Sequence, residues 1–365
     1  VWVPAELKKL VPYQPGKPIE ETKREFGLSQ VYKLASNENP LGPNPRVLEA
    51  CKKVFSELHR YPDGASMDLR KAMSEFYGLD GSQLAFGNGS DELISLLMRI
   101  YCIGFPNANV LMPEMSFIAY KIAAKTHQLR VIESPLKPRF EVDVDALMKA
   151  WTPETRMIFL ANPNNPTGTY LSGADIRKLL DFAEARETLV VIDEAYFEYA
   201  RAQDYLSALS LLPDYKCLAV FRTFSKAYGL AGLRLGVLIS STEVIDLVNR
   251  IRSPFNLNAF VQVAAIEAIR DQDYVERSQK MTWEGLDFLH SSLKAMGYDP
   301  ISSQANFLLF DAKEPARELY DRLLRKGVIV RPVGNYGLPT HLRVSVGLKE
   351  ENAFFLNALK DCKTV

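Results

Sequence analysis

The strongest constraint on the fold is a set of short apolar runs, each ending in residues able to do chemistry. The clearest is Leu189-Val190-Val191-Ile192-Asp193, followed by Glu194-Ala195-Tyr196. An unbroken apolar run rich in β-branched residues has no polar face. It predicts a strand covered by helices on both sides of a parallel sheet. Ligands of such sheets gather beyond the carboxyl ends of the strands, where Asp193 falls. A single acid at this place could equally cap the next helix.

Three more segments share the pattern. Met157-Ile158-Phe159-Leu160-Ala161 runs into Asn162-Pro163-Asn164-Asn165-Pro166-Thr167-Gly168. Proline fixes φ and glycine accepts positive φ, so this turn can aim an amide side chain from a stiff loop. Leu84-Ala85-Phe86-Gly87-Asn88-Gly89-Ser90-Asp91 passes from a strand through small residues into a helix, whose first N–H groups favour a phosphate. Gly87-Asn88-Gly89-Ser90 does not complete the Gly-rich dinucleotide pattern, which argues against a Rossmann oxidoreductase. The last segment runs Thr223-Phe224-Ser225-Lys226-Ala227-Tyr228-Gly229-Leu230-Ala231-Gly232-Leu233-Arg234. A lysine that does covalent chemistry needs a tight pocket, a carbonyl partner and an anchor for an anion. The small residues and Arg234 offer the first and last of these. Alone, the segment also fits a surface loop beside a helix.

Strands are expected at 108–112, 129–133, 157–161, 189–193, 218–222 and 235–239, alternating with helices. Further short strands are expected at 306–310, 328–331 and 342–346. The fold class is therefore α/β, with a mostly parallel sheet in a large domain over 41–255. A smaller α+β domain over 256–365 is expected to be joined by an N-terminal arm, 1–40. At 365 residues the chain can bury both cores. Lys plus Arg and Asp plus Glu both total 44, which gives no global field for nucleic acid or an anionic membrane. No apolar run approaches a bilayer span. Cys51, Cys102, Cys217 and Cys362 lack metal-ligand spacing, so no metal is expected and a reducing compartment is the default. The chain begins at Val1, which leaves an earlier leader open.

The order phosphate loop, amide turn, acid strand, lysine loop resembles the fold-type I pyridoxal 5'-phosphate (PLP) aminotransferases. The likeness extends further. Tyr13-Gln14-Pro15-Gly16-Lys17-Pro18-Ile19-Glu20-Glu21, Lys33-Leu34-Ala35-Ser36-Asn37-Glu38-Asn39-Pro40-Leu41-Gly42, Arg60-Tyr61-Pro62-Asp63-Gly64 and Leu342-Arg343-Val344-Ser345-Val346-Gly347 are similar to the histidinol-phosphate aminotransferase family. The resemblance implies that Lys226 holds the cofactor covalently and then acts as the base that moves the substrate proton. Asp193 would face the ring nitrogen, a placement that strand-end chemistry also suggests. Asn165, rather than Asn164, and Tyr196 would meet the ring's phenolic oxygen. The cofactor phosphate would be bound by helix-start amides of Gly89, Ser90 and Asp91, hydroxyls of Thr223 and Ser225, and Arg234. Phe117 would stack on the ring, although Met115-Ser116 stands where the family often has Pro-Thr. Tyr61 would reach the cofactor phosphate of a neighbouring subunit, making a homodimer with shared active sites. Arg343 would clamp a carboxylate, with Arg331 and Tyr13 suited to the phosphate of histidinol phosphate, and Asn37 near the substrate.

The function implied is reversible amino transfer between L-glutamate and imidazole-acetol phosphate, a step in histidine biosynthesis. The partners would be histidinol phosphate, glutamate and 2-oxoglutarate, in the cytoplasm, with no nucleic acid or membrane. An aromatic amino-acid aminotransferase or a phosphothreonine decarboxylase of the same family would use the same machinery. A PLP-binding regulator would need a DNA-binding segment, for which 1–40 has no room beside this arm.

Overall fold

The computed structural model describes residue 3, residues 5–8, residue 10 and residues 16–362. The strands, in chain order, are β1 (Tyr32–Lys33), β2 (Leu84–Asn88), β3 (Asn109–Pro113), β4 (Arg130–Ser134), β5 (Thr155–Ala161), β6 (Leu189–Asp193), β7 (Leu218–Thr223), β8 (Leu235–Ser240), β9 (Phe307–Asp311), β10 (Val328–Ile329), β11 (Arg331–Pro332) and β12 (His341–Ser345). A seven-stranded sheet has the order β2-β8-β7-β6-β5-β3-β4. Only β8 runs against its neighbours, β2 and β7; the other pairings are parallel. Its two antiparallel contacts leave β2 pointing the same way as β7. The carboxyl ends of β2, β3, β5, β6 and β7 therefore lie along one edge.

Every residue of β6 is buried, as expected for a strand covered on both sides. Alternation sends Val190 and Ile192 into one core, with the helices Gly173–Glu184 and Ala259–Arg270. Leu189 and Val191 enter the other, with the helices Ser90–Tyr101, Ile118–Thr126 and Thr242–Ile251. The same period of two decides the last positions. Asp193 falls on the side of Tyr120, in helix Ile118–Thr126. Glu194 falls on the opposite side, where it pairs with buried Arg222 at 2.7 Å.

A second core gathers around β12, which lies between β11 and β9 in an antiparallel sheet. Phe26, Leu28, Val31, Leu34 and Ala35 from the N-terminal stretch pack into this core. There β1 pairs in parallel with β10, Tyr32 against Val328. Helix Ala259–Arg270 lies beyond the expected boundary at 255, yet it packs on helices Pro45–Val54 and Met67–Tyr77, in the core of the large sheet. No helix among the described residues is long and apolar enough to cross a membrane.

Candidate active site

A cavity of about 370 Å³ opens at the carboxyl edge of the large sheet, and the arm residues Ser36, Asn37 and Glu38 help to line it. Of the residues expected from the sequence, it brings together Lys226, Asp193, Asn165, Tyr196, Gly89, Ser90, Asp91, Phe117, Thr223, Ser225, Arg234, Asn37 and Arg343.

Lys226 sits in the loop after β7, half-buried, with Nζ donating to the carbonyl of Ser36 at 3.2 Å. Burial, helped by the positive charge of Arg343, pushes its ammonium down to about 8. At pH 7 about a tenth of such a side chain is the neutral, nucleophilic amine. Asn39 fixes the loop from the arm side, its Nδ2 donating to the carbonyls of Lys226 (3.2 Å) and Ala227 (3.0 Å).

Asp193 ends β6. Its Oδ2 accepts the hydroxyl of Tyr120 at 2.8 Å, and its Oδ1 accepts the Ala195 amide at 3.1 Å. Burial raises its carboxyl to about 6 against the pull of these two hydrogen bonds. A carboxylate held there is short of a cation, and a protonated ring nitrogen would supply one.

At one end the cavity is built for an anion. Ser90 and Asp91 open helix Ser90–Tyr101, so their N–H groups have no carbonyl within the helix. The expectation that Gly89 offers its own amide does not hold, because that N–H donates to the Arg234 carbonyl at 3.0 Å. Gly89 instead provides room. It has φ 77, and a Cβ there would run into the Arg234 guanidinium. Arg234 holds the Asp91 carboxylate at 3.0 Å with both side chains substantially exposed. Such a pair is worth about 0–1 kcal/mol, so an entering phosphate competes for Arg234 at small cost. Thr223 Oγ1 accepts the Ser225 amide at 3.2 Å and lies 3.0 Å from Ser225 Oγ.

At the other end, buried Arg343 on β12 donates Nη1 to Asn165 Oδ1 and Nη2 to the Ala35 carbonyl, the latter at 2.7 Å. Asn165 Nδ2 is 3.5 Å from Tyr196 Oη, and Asn37 Nδ2 is 2.9 Å from the same oxygen. Burial pushes the Tyr196 phenol up to about 12. Phe117 forms part of the wall, edge-on to Tyr120 with centroids 5.5 Å apart.

Two expected residues are not in this wall. Tyr61 is 82% exposed and stacks on Phe255 with ring centroids 4.6 Å apart. Arg331 is the register partner of Arg343 across β11 and β12, so both side chains leave the small sheet on one face. Tyr13 lies outside the described residues. Sequence reading missed Tyr120 and Ser345. Nothing marked Tyr120, which lies in an ordinary amphipathic helix. Ser345 could have been found, because it shares a strand face with Arg343 two residues before it.

The sequence matches the family described as aminotransferase class I and II over residues 29–359. The chain belongs to that family. It is 46% identical over 361 residues to histidinol-phosphate aminotransferase of Bdellovibrio bacteriovorus, covering 98% of this chain and 96% of that one. Its identity to the histidinol-phosphate aminotransferase of Anaeromyxobacter sp. is 45%, covering 98% of each. The crystal structure of histidinol-phosphate aminotransferase from Sinorhizobium meliloti in complex with pyridoxal-5'-phosphate superposes with a TM-score of 0.87 at 28% identity, covering 98% of this chain and 96% of that one.

Proposed function

We propose that this protein is a PLP-dependent transaminase moving an amino group reversibly between L-glutamate and imidazole-acetol phosphate, the histidinol-phosphate aminotransferase step of histidine biosynthesis. One observation carries the reading. A half-buried lysine with a lowered pKa shares a cavity with a buried strand-end acid and a glycine-opened anion cradle, in a chain 46% identical to such an enzyme.

The residues fit the cofactor. The cradle suits its phosphate, Asp193 its ring nitrogen, and Asn165 with Tyr196 its phenolic oxygen. When bound, PLP supplies an aldehyde that condenses with amines and a ring that accepts the electron pair left when the substrate carbon loses its proton. Lys226 would hold the cofactor covalently, and its freed amine would accept and return the proton at the substrate carbon. Asp193 would favour a proton on the ring nitrogen. Ser90, Asp91, Thr223, Ser225 and Arg234 would anchor the phosphate, and Phe117 in the cavity wall would lie against the ring.

Arg343 takes the carboxylate of glutamate or 2-oxoglutarate. Histidinol phosphate has no carboxylate at its reacting carbon, so Arg331 and Tyr13 are assigned to its phosphate. Tyr61 is assigned to the cofactor phosphate of a second copy, which makes the working unit a homodimer with shared sites; its exposure supports this reading. The large domain is placed at 41–255 plus helix Ala259–Arg270, with the arm completing the small domain. We place the enzyme in the cytoplasm on its biosynthetic role.

A half-reaction panel tests the reading. Purified protein loaded with PLP is mixed separately with histidinol phosphate, glutamate, phenylalanine, tyrosine and phosphothreonine while the visible spectrum is followed. Fast conversion by histidinol phosphate and glutamate supports it. Preference for phenylalanine or tyrosine, or release of carbon dioxide from phosphothreonine, would reassign the enzyme.

A further inference from the structure

Asn37 is 1% exposed, and its polar groups are engaged inside the protein. Its N–H donates to Ser345 Oγ at 2.9 Å, and Ser345 gives its hydroxyl proton to Asn37 Oδ1 at 2.8 Å. Its backbone carbonyl accepts from Asn306 Nδ2 at 3.1 Å. A serine hydroxyl has one proton, and here that proton is committed to Oδ1. In this arrangement the other end of the amide, Nδ2, faces Tyr196 and donates to Oη at 2.9 Å. Asn165 Nδ2 approaches the same oxygen at 3.5 Å. With two N–H donors on the phenol oxygen, the phenol's own proton is left to point into the cavity.

We propose that Asn37 is a positioning residue. Held by Ser345, it makes Tyr196 a hydrogen-bond donor to the ring oxygen of pyridoxal phosphate, and its side chain does not bind substrate. The inference rests on the reading of the cavity given above. It replaces the expectation that Asn37 contacts substrate.

The charged and titratable groups around Tyr196 are Arg343 from β12, Asp193 from β6, Tyr336 from the turn after β11, and Lys226, whose Nζ is 5.8 Å from the ring centroid. These stay the same in variants at 37 and 345. A change in titration between such variants therefore reads the Asn37 contact. Asn37 has φ 55, a left-handed conformation that glycine adopts freely and alanine does not, so Asn37→Gly is the clean deletion.

The test titrates the visible absorbance of PLP-loaded protein. A donor to the ring oxygen stabilises its anionic form, so losing the donor raises the spectroscopic pKa. Asn37→Gly is expected to raise it by about one unit and to lower kcat for glutamate and histidinol phosphate by similar factors, with KM little changed. Ser345→Ala is expected to shift it the same way by less, and Ser345→Thr to restore the wild-type value. In a Tyr196→Phe background, adding Asn37→Gly is expected to change nothing further. If Asn37→Gly folds poorly, the contrast between Ser345→Ala and Ser345→Thr carries the same reading. An unmoved titration with a raised substrate KM would overturn the proposal, as would a full further shift in the Tyr196→Phe background. Wild-type protein that takes up no PLP would overturn the functional reading as well, and is seen before any variant is made.

Discussion

The phenol of Tyr120 donates to Oδ2 of Asp193 at 2.8 Å, and both side chains are almost fully buried. Hydrogen bonding holds the carboxylate in place, yet burial dominates and raises its pKa to about 6. The folded chain therefore binds more protons than the unfolded one between the ordinary carboxylate value and about 6. Stability falls as pH rises through that window, and the full penalty stands above it. A group arranged this way costs stability in the empty protein and returns it as affinity for a cation.

Replacing the acid should separate these effects. The cofactor-free Asp193→Asn protein is expected to melt a few degrees above wild type at pH 8, with the gap closing as pH falls below about 6. Its PLP affinity and turnover should fall sharply. Thermal melts of the empty proteins across pH, set beside PLP titrations, check both halves. A variant that binds PLP as tightly as wild type would remove Asp193 from the ring nitrogen.

Lys226 gives the opposite sign. Its ammonium titrates near 8, lowered first by burial and then by Arg343. Capture of PLP requires the neutral amine, so the uptake rate should rise about tenfold per pH unit below about 8 and level off above it. Arg343→Gln removes a positive neighbour and should move the bend to higher pH. Lys226→Ala should lose the covalent absorbance and nearly all turnover. Stopped-flow absorbance of apoprotein mixed with PLP follows each, and a rate that stays flat from about pH 6 to about pH 9 would contradict the lysine's role.

At Gly89 the backbone is left-handed and the space beside it is filled by the Arg234 guanidinium. Gly89→Ala should cost on both counts, straining φ and pushing Arg234 away from the anion end. PLP affinity is expected to drop about tenfold or more, while pyridoxal without its phosphate should be affected much less. Equilibrium binding of the two compounds makes the comparison, and equal losses would place the phosphate elsewhere.

The sequence made the large sheet readable because each central strand is an unbroken apolar run, and the expected ends fall within two residues of β3 to β8. The same signal put Asp193 at a strand end, whereas Lys226 stood out by the small residues, hydroxyls and Arg234 around it. It was less informative in the small sheet. Val328-Ile329-Val330-Arg331 reads as one strand, yet Val328 and Ile329 pair with the arm and Arg331 pairs with Arg343. Composition carries no record of which partner each half meets. Nor did any local pattern reveal that Gly89 contributes space while its amide serves Arg234, because that contact joins segments distant in the chain.

Arg331 and Arg343 face each other across β11 and β12, and only Arg343 lines the cavity. On the reading proposed above, Arg343 at the cavity wall takes a carboxylate and Arg331, beside it on the same sheet face, takes the phosphate. Glutamate places a carboxylate next to the reacting carbon, while histidinol phosphate places a phosphate one carbon away. Arg331→Ala should therefore raise KM for histidinol phosphate by about tenfold or more and leave glutamate within about twofold. Arg343→Ala should weaken both, because its guanidinium also holds Asn165. Steady-state kinetics with each donor checks the split. Equal losses for the two donors in Arg331→Ala would return that arginine to a purely structural place in the small sheet.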